Sequence, residues 1–309
     1  MIRARGLLAA LMAMLAAGGA QAQMAIPGDI SANSDATGFD ALRVRSGVLL
    51  RCASPFDYVG VVAQTTHYSQ SRWDRDAPAI MALWRRQRRE TLAGTIGEAG
   101  LVRIAGRTRV IGDATLSLRP SARTGVELLV ASDLVETQRA LDHATAYTFF
   151  GISAERQLTE RFTAIGLAGY QRFTDGNERL HLRGRLIWML VPEHGISAQL
   201  RWRQFESEQL DVDRAYFNPE SYGEWQAGVA IRKRYAGWQW SGTLAAGREE
   251  IDSDTTNPTA LAELRTEGTL GNGTRLVLRA SYNRSAGFAV ADGYWYRVVG
   301  LSVIVPIGH

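Results

Sequence analysis

Residues 179–190 read RLHLRGRLIWML, and the period of that stretch decides the fold class. Arg179, His181, Arg183 and Arg185 fall on one face of an extended chain, and Leu180, Leu182, Leu186, Trp188 and Leu190 fall on the other. A helix would space its apolar residues three and four apart, so strict alternation argues for a strand. The period repeats in ISAQLRWR (196–203), where Ile196, Ala198, Leu200 and Trp202 oppose Ser197, Gln199, Arg201 and Arg203. It repeats again in TRLVLRASYN (274–283), where Leu276, Leu278, Ala280 and Tyr282 oppose Arg275, Arg279, Ser281 and Asn283.

Two features separate a membrane barrel from a soluble sandwich. The alternating segments are many and run for about ten to fifteen residues, the reach of a tilted membrane strand. Their apolar face also accepts Gly184, Gly242 and Ala280. Lipid fills the gaps along such a wall, whereas a packed core would be left with cavities. Aromatic residues gather toward segment ends (Phe149 and Phe150, Trp238 and Trp240, Tyr294 to Tyr296), as interfacial girdles would. The expected fold is an all-β, antiparallel transmembrane β-barrel.

Outward from residues 179–190, the pattern predicts strands over 42–53, 55–68, 78–88, 93–105, 107–118, 122–133, 143–154, 160–173, 178–190, 195–206, 223–234, 237–249, 259–270, 273–284 and 294–307. That set is odd, and single-chain bacterial barrels have an even strand number. Sixteen is expected, with a strand before Leu42 still to be found, and fourteen is the alternative. Residues 69–118 are the least periodic. In the last segment Leu301, Val303, Val305 and Ile307 share a face, as in a closing strand. Short connections (119–122, 191–195, 234–237, 271–273) alternate with longer ones (134–143, 205–222, 251–259, 285–293). Periplasmic turns are short and external loops long, so the last strand is expected to run inward.

The N-terminus supplies the address. Arg3 and Arg5 precede an apolar run from Leu7 to Ala17, and Ala20-Gln21-Ala22 fits a cleavage site. Residues 1–22 read as a signal peptide, too short in its apolar part to span a bilayer as a helix. Residues 23–41 are expected to be a flexible periplasmic segment, and 42–309 the barrel. The formal charge is +4, and its basic residues are dispersed along the chain rather than clustered as a nucleic-acid site requires. Cys52 is the sole cysteine, so no intramolecular disulfide can form.

Catalytic and cofactor chemistry finds little purchase. The five histidines have no metal-ligand spacing, and neither a nucleophile elbow nor a phosphate-cradling glycine motif is present. No metal or cofactor is expected. Asp142-His143 could form an acid–base pair at a barrel mouth, and Asp211 with Asp213 could be paired carboxylates. Both also fit solvated loops. The inner face says more. Arg183, Arg185, Arg201 and Arg203 would point into the lumen from adjacent strands, and Glu263, Arg265, Glu267, Arg275 and Arg279 would line another wall. These charges could neutralise one another, or they could meet a hydrophilic solute.

One loop is unlike the rest. AYFNPESY (215–222) carries Tyr216, Phe217 and Tyr222 around Asn218-Pro219, too apolar for a freely solvated connection. Pro219 fixes its own φ and removes a ladder donor, and Asn218 before it is held extended. The cluster is expected to fold over the mouth or into the lumen as a gate, or to form the aromatic rim of the next strand.

This element resembles the aromatic-Asn-Pro motif in the C-terminal barrels of bacterial exopolysaccharide exporters, the cellulose and poly-N-acetylglucosamine secretion pores. FTDGNERLHLRGRL (173–186) and GWQWSGTLAAGRE (237–249) are similar to segments of the same barrels. The resemblance covers about residues 42–309. It implies a roughly sixteen-stranded outer-membrane pore that passes a linear polysaccharide, as in biofilm formation. The family's helical-repeat region is not visible in this sequence, which would leave that role to a separate periplasmic helical-repeat or synthase partner. Ile-Gly-His at the end departs from the Phe common in closing strands. The competing expectations are a barrel enzyme acting on surface lipid or protein, and a closed structural or receptor barrel.

Overall fold

The computed structural model describes residues 23–209, 212, 215–253, 255–285 and 294–307. The expected signal peptide lies outside them, as do Asp211 and Asp213. The strands are β1 (Gln23–Asp35), β2 (Phe39–Ser54), β3 (Asp57–Gln70), β4 (Trp73–Gln87), β5 (Gly94–Ile104), β6 (Arg107–Ser121), β7 (Thr124–Leu134) and β8 (Ala146–Gln157). They continue as β9 (Phe162–Phe173), β10 (Glu178–Val191), β11 (Ile196–Ser207), β12 (Ser221–Tyr235), β13 (Trp238–Ile251), β14 (Thr255–Thr269), β15 (Arg275–Arg284) and β16 (Trp295–Ile307). Each pairs antiparallel with its sequence neighbour, and β1 pairs with β16, so sixteen strands close into one barrel. One helical turn, α1 (Gln138–Asp142), sits between β7 and β8.

The sixteenth strand is β1, which corrects the expectation of a flexible segment at 23–41. Its residues seal the barrel against β16, from Met24 opposite Ile307 to Asp35 opposite Tyr296. Met24, Ile26 and Ile30 face outward and alternate with Ala25, Pro27 and Asp29. Pro27 and Gly28 interrupt an otherwise regular pattern, and a register shift between Gln23 and Ala25 breaks it again. The barrel therefore starts at Gln23 rather than Leu42.

Closure abolishes sheet edges, and every membrane-depth peptide group finds a partner in a neighbouring strand. The outer surface is a belt of exposed apolar side chains, including Ile80, Val110, Ile152, Val229, Leu244 and Val299. Water would not tolerate that belt, but a bilayer requires it. Aromatic side chains flank it. Trp188 stacks on Phe162 at 5.7 Å toward one rim, and Trp202 lies 5.7 Å from Trp225 toward the other. The chain is an outer-membrane β-barrel.

One rim follows the loop pattern read in sequence, with short connections at 122–123, 192–195, 236–237 and 270–274, and the other departs from it. One rim carries the start of β1, the end of β16 and the connections after even-numbered strands; the other carries the connections after odd-numbered strands. At this second rim four connections span only two or three residues (36–38, 71–72, 105–106, 252–254). The long loop expected at 251–259 is mostly strand, because β13 runs to Ile251 and β14 starts at Thr255. Two loops remain long among the described residues, β7–β8 and β11–β12, and both turn inward.

The β7–β8 loop explains why residues 69–118 lacked period. Strands β2 to β6 carry apolar side chains on the inner face too, with Ala77, Met81, Val102, Ile104 and Ile111 buried inside. Leu141 and Ala144 pack against that inner surface beside Phe39, Ala41 and Tyr68. Thr137 caps α1 by accepting from the Ala140 amide. Arg109 and Arg107 then donate to the carbonyls of Ala144 and His143, at 2.8 and 3.2 Å.

Candidate functional site: a lumen bridged by two loops

The β10–β11 wall is built by strand parity. Odd residues of both strands face the lumen, so Arg183 stands directly opposite Arg203, and Arg185 opposite Arg201. All four line one cavity of about 290 Å³. Arg203 pairs with Glu224 on β12 and donates to the Tyr222 hydroxyl at 2.7 Å. Arg201 lies 3.7 Å from Glu263, and Arg185 donates to Gln199 at 2.9 Å. Arg183 has no hydrogen-bond or ion-pair partner among the described residues.

The second wall is neutralised more fully. Arg265 and Arg275 both pair with Glu267, at 2.9 and 3.3 Å, and Arg279 lies 3.9 Å from Asp29 of β1. Glu263, Arg265 and Arg279 line a further cavity of about 330 Å³.

Above these walls the two inward loops meet. The β11–β12 loop descends through AYFNPESY. The Tyr216 ring stacks on Phe173 with centroids 4.6 Å apart, and its hydroxyl donates to Asp175 at 2.9 Å. Burial first, and then that carboxylate, push the Tyr216 hydroxyl above the ordinary tyrosine range. Asn177, fully buried, donates to the Tyr216 hydroxyl and to Asn218 Oδ1 at 3.1 and 2.7 Å. Arg179 lies over the rings of Phe173, Phe205 and Tyr216. It also donates to the Phe217 carbonyl and, at 2.9 Å, to Asn218. Phe217 stands edge-on to Phe205 and Tyr222, and Pro219 is buried. Tyr222 is the first inward residue of β12 below the loop. It stacks on Phe205 at 4.9 Å and donates to Glu249 at 2.8 Å.

From the other side, Glu136 of the β7–β8 loop accepts from Asn33 (3.1 Å), Arg43 (3.1 Å) and Tyr68 (3.3 Å) on β1, β2 and β3. The loop thus crosses to a wall several strands from its own. Its neighbour Thr137 donates to the Ala215 carbonyl at 2.5 Å, joining the two loops. Beneath the joint lies a chamber of about 690 Å³, walled by residues from both halves of the barrel. A smaller cavity of about 190 Å³, which Ala215 also lines, shares Glu136 and Thr137 with the chamber.

The acid–base candidates at the rim are not assembled. Asp142 accepts from Trp73 at 3.1 Å and from Arg75 at 2.9 Å, which makes it a loop anchor. The His143 ring contacts the Arg139 carbonyl of its own turn, not Asp142. Asn177, Arg179, Glu136 and Thr137 carry the loop geometry and were not singled out from sequence. Asn177 sits in TDGN, where an Asn reads as an ordinary turn residue. No sequence signal distinguishes Glu136 from other loop carboxylates.

The sequence matches no protein-family model and no curated protein. Solved structures do match by fold. A barrel described as "Bacterial polysaccharide outer membrane secretin" superposes with a TM-score of 0.69 at 9% identity, covering 94% of this chain and all of the other. OprD of Pseudomonas aeruginosa matches with a TM-score of 0.46 at 9% identity, over 94% of this chain and 96% of its own. At 9% identity the first likeness is one of fold, a barrel of the outer-membrane type.

Proposed function

We propose that the protein is an outer-membrane channel for a hydrophilic solute, with export of a linear exopolysaccharide as the specific reading. The observation that carries it is the chamber under the loop joint, a space lined by polar and charged side chains, Arg203 and Arg279 of the two walls among them, on a chain with an apolar outer belt. A structural barrel has no need of such a chamber. The polysaccharide reading draws further support from the aromatic-Asn-Pro loop. Tyr216, Phe217 and Tyr222 of that segment line the chamber. It also draws on a neighbour of the same fold, which is described as a "Bacterial polysaccharide outer membrane secretin". In this reading the rim carrying both strand ends faces the periplasm, where a helical-repeat or synthase partner would deliver the polymer.

The test is conductance of the refolded barrel in a planar bilayer, with linear polysaccharide added on one side. Steady conductance reduced by the polymer supports export. Conductance indifferent to any polymer leaves a general solute channel, and its complete absence, also after the loops are released from the wall, removes the channel reading.

A further inference from the structure

The four arginines of β10 and β11 are an unusual wall for a barrel that only needs a wet interior. Like charges directly opposite each other on adjacent strands destabilise a sheet, and here two such pairs are stacked, Arg183 with Arg203 and Arg185 with Arg201. On the second wall Arg265 also stands opposite Arg279, but there Glu267 pairs with Arg265 and Arg275, and Asp29 lies 3.9 Å from Arg279. The carboxylates near the quartet all come from the β12 and β14 side. On the β9 side the cross-strand neighbours of Arg183 and Arg185 are Leu167 and Ile165, which offer no counter-charge.

Two of the four also keep unfilled donors. Arg183 has no partner among the described residues, and Arg201 Nη1 is buried without a hydrogen bond. Guanidinium groups converging on one side of a polar cavity match oxyanion geometry, because each can present two parallel N–H groups to a carboxylate or phosphate.

We propose that the Arg183–Arg185–Arg201–Arg203 quartet is an oxyanion-binding subsite, so that the solute carried through the lumen bears carboxylate or phosphate groups. This deepens the channel reading and rests on it for transport, though not for binding. An anionic polymer would displace the internal pairing of the quartet as it passes and release it afterward. Such a site favours entry of the anion without trapping it.

The test uses the full barrel carrying Arg183→Gln and Arg185→Gln, leaving the loop-anchoring Arg179 and the Tyr222-bound Arg203 intact. Heat-modifiable gel mobility reports that the variant is folded. In a salt gradient the native pore should prefer anions, and the double variant should lose about tenfold in its anion-over-cation permeability ratio. Oligogalacturonate and tripolyphosphate provide the carboxylate and phosphate arms, with neutral malto-oligosaccharide as the control. Block by one anionic arm and not the other identifies the group carried, and the block should disappear in the variant. A conducting native pore without anion preference or anionic block overturns the subsite and leaves the channel standing. If the barrel does not conduct, calorimetric titration of the same oligomers decides: binding that the variant loses upholds the subsite while the channel reading fails, and no binding overturns both.

Discussion

Replacing Tyr216 by Ala should release the β11–β12 loop from the lumen wall. The ring is only 5% exposed and stacks on Phe173, while Arg179 covers its edge. Truncating a buried aromatic residue costs about 3–5 kcal/mol in a packed core. A loop seated on a wall is near the low end, so about 3 kcal/mol is expected, which is roughly a hundredfold shift from docked to released loop. Tyr216→Phe keeps the stacking and loses the hydrogen bonds with Asp175 and Asn177. That change should cost about 1–2 kcal/mol, or roughly tenfold. Cleavage of the 208–220 loop by a non-specific protease, in barrels folded in vesicles, tracks the released population when reclosing outpaces cutting. The expected order of rates is native, then Phe, then Ala, with the strand region resistant throughout. Single-channel recordings should show longer high-conductance intervals in the same order. Equal cleavage of native and Ala forms would refute the claim that the aromatic stack holds the loop. Equal cleavage of Phe and Ala forms would assign the hold to the hydroxyl instead.

Leu244, 62% exposed and midway along β13, faces the lipid, so Leu244→Arg should lower stability by about 2–4 kcal/mol in urea unfolding from vesicles. Thr243→Arg, one residue away and facing the lumen, should cost much less; similar costs would contradict the assigned parity. Leu141→Ala should cost about 2–5 kcal/mol, read as faster amide exchange across the β7–β8 loop, since Leu141 is fully buried against the inner wall. Alkaline titration supplies a further check. Because docking raises the Tyr216 pKa, the docked loop favours the neutral phenol. Its contribution is complete below the free tyrosine pKa of about 10 and declines as pH rises beyond it. Loop cleavage should be flat from neutral pH to about 9 and rise above it, and the rise should be absent in Tyr216→Phe.

The lipid-facing half of the fold was legible where one face is charged and the other apolar, as in β10, β11 and β15. Legibility failed for two physical reasons. In β4 the inward Ala77, Met81 and Leu83 are as apolar as the outward Ile80 and Trp84, because they meet α1 and the packed wall rather than water. In β1 the alternation is present but interrupted by Pro27-Gly28, which reads as a turn. The charged lumen residues could be placed by parity alone. Which arginines are paired could not, since Glu263 reaches Arg201 from three strands away and Glu224 reaches Arg203 from the next strand. The aromatic loop advertised that it would fold inward. What receives it is assembled by Asn177, Arg179 and Phe205 from other strands, and Thr137 joins it through a backbone carbonyl, which carries no sequence identity at all.

The seam between β1 and β16 bears on how such a chain can be made. Fifteen of the sixteen strand pairings join consecutive strands and can form as hairpins. The remaining one unites Met24 with Ile307 and cannot begin until residues from both ends are present together. The entropy of that long closure grows only logarithmically with chain length. The larger penalty falls on an unclosed sheet in hydrocarbon, whose two edges expose unpaired peptide groups at several kcal/mol each. Strand-by-strand insertion is therefore unfavourable until the final strand arrives. The polypeptide is expected to reach its membrane unfolded and to close in one late, cooperative event. Substitutions that weaken the seam should slow assembly more than they reduce the stability of the finished barrel.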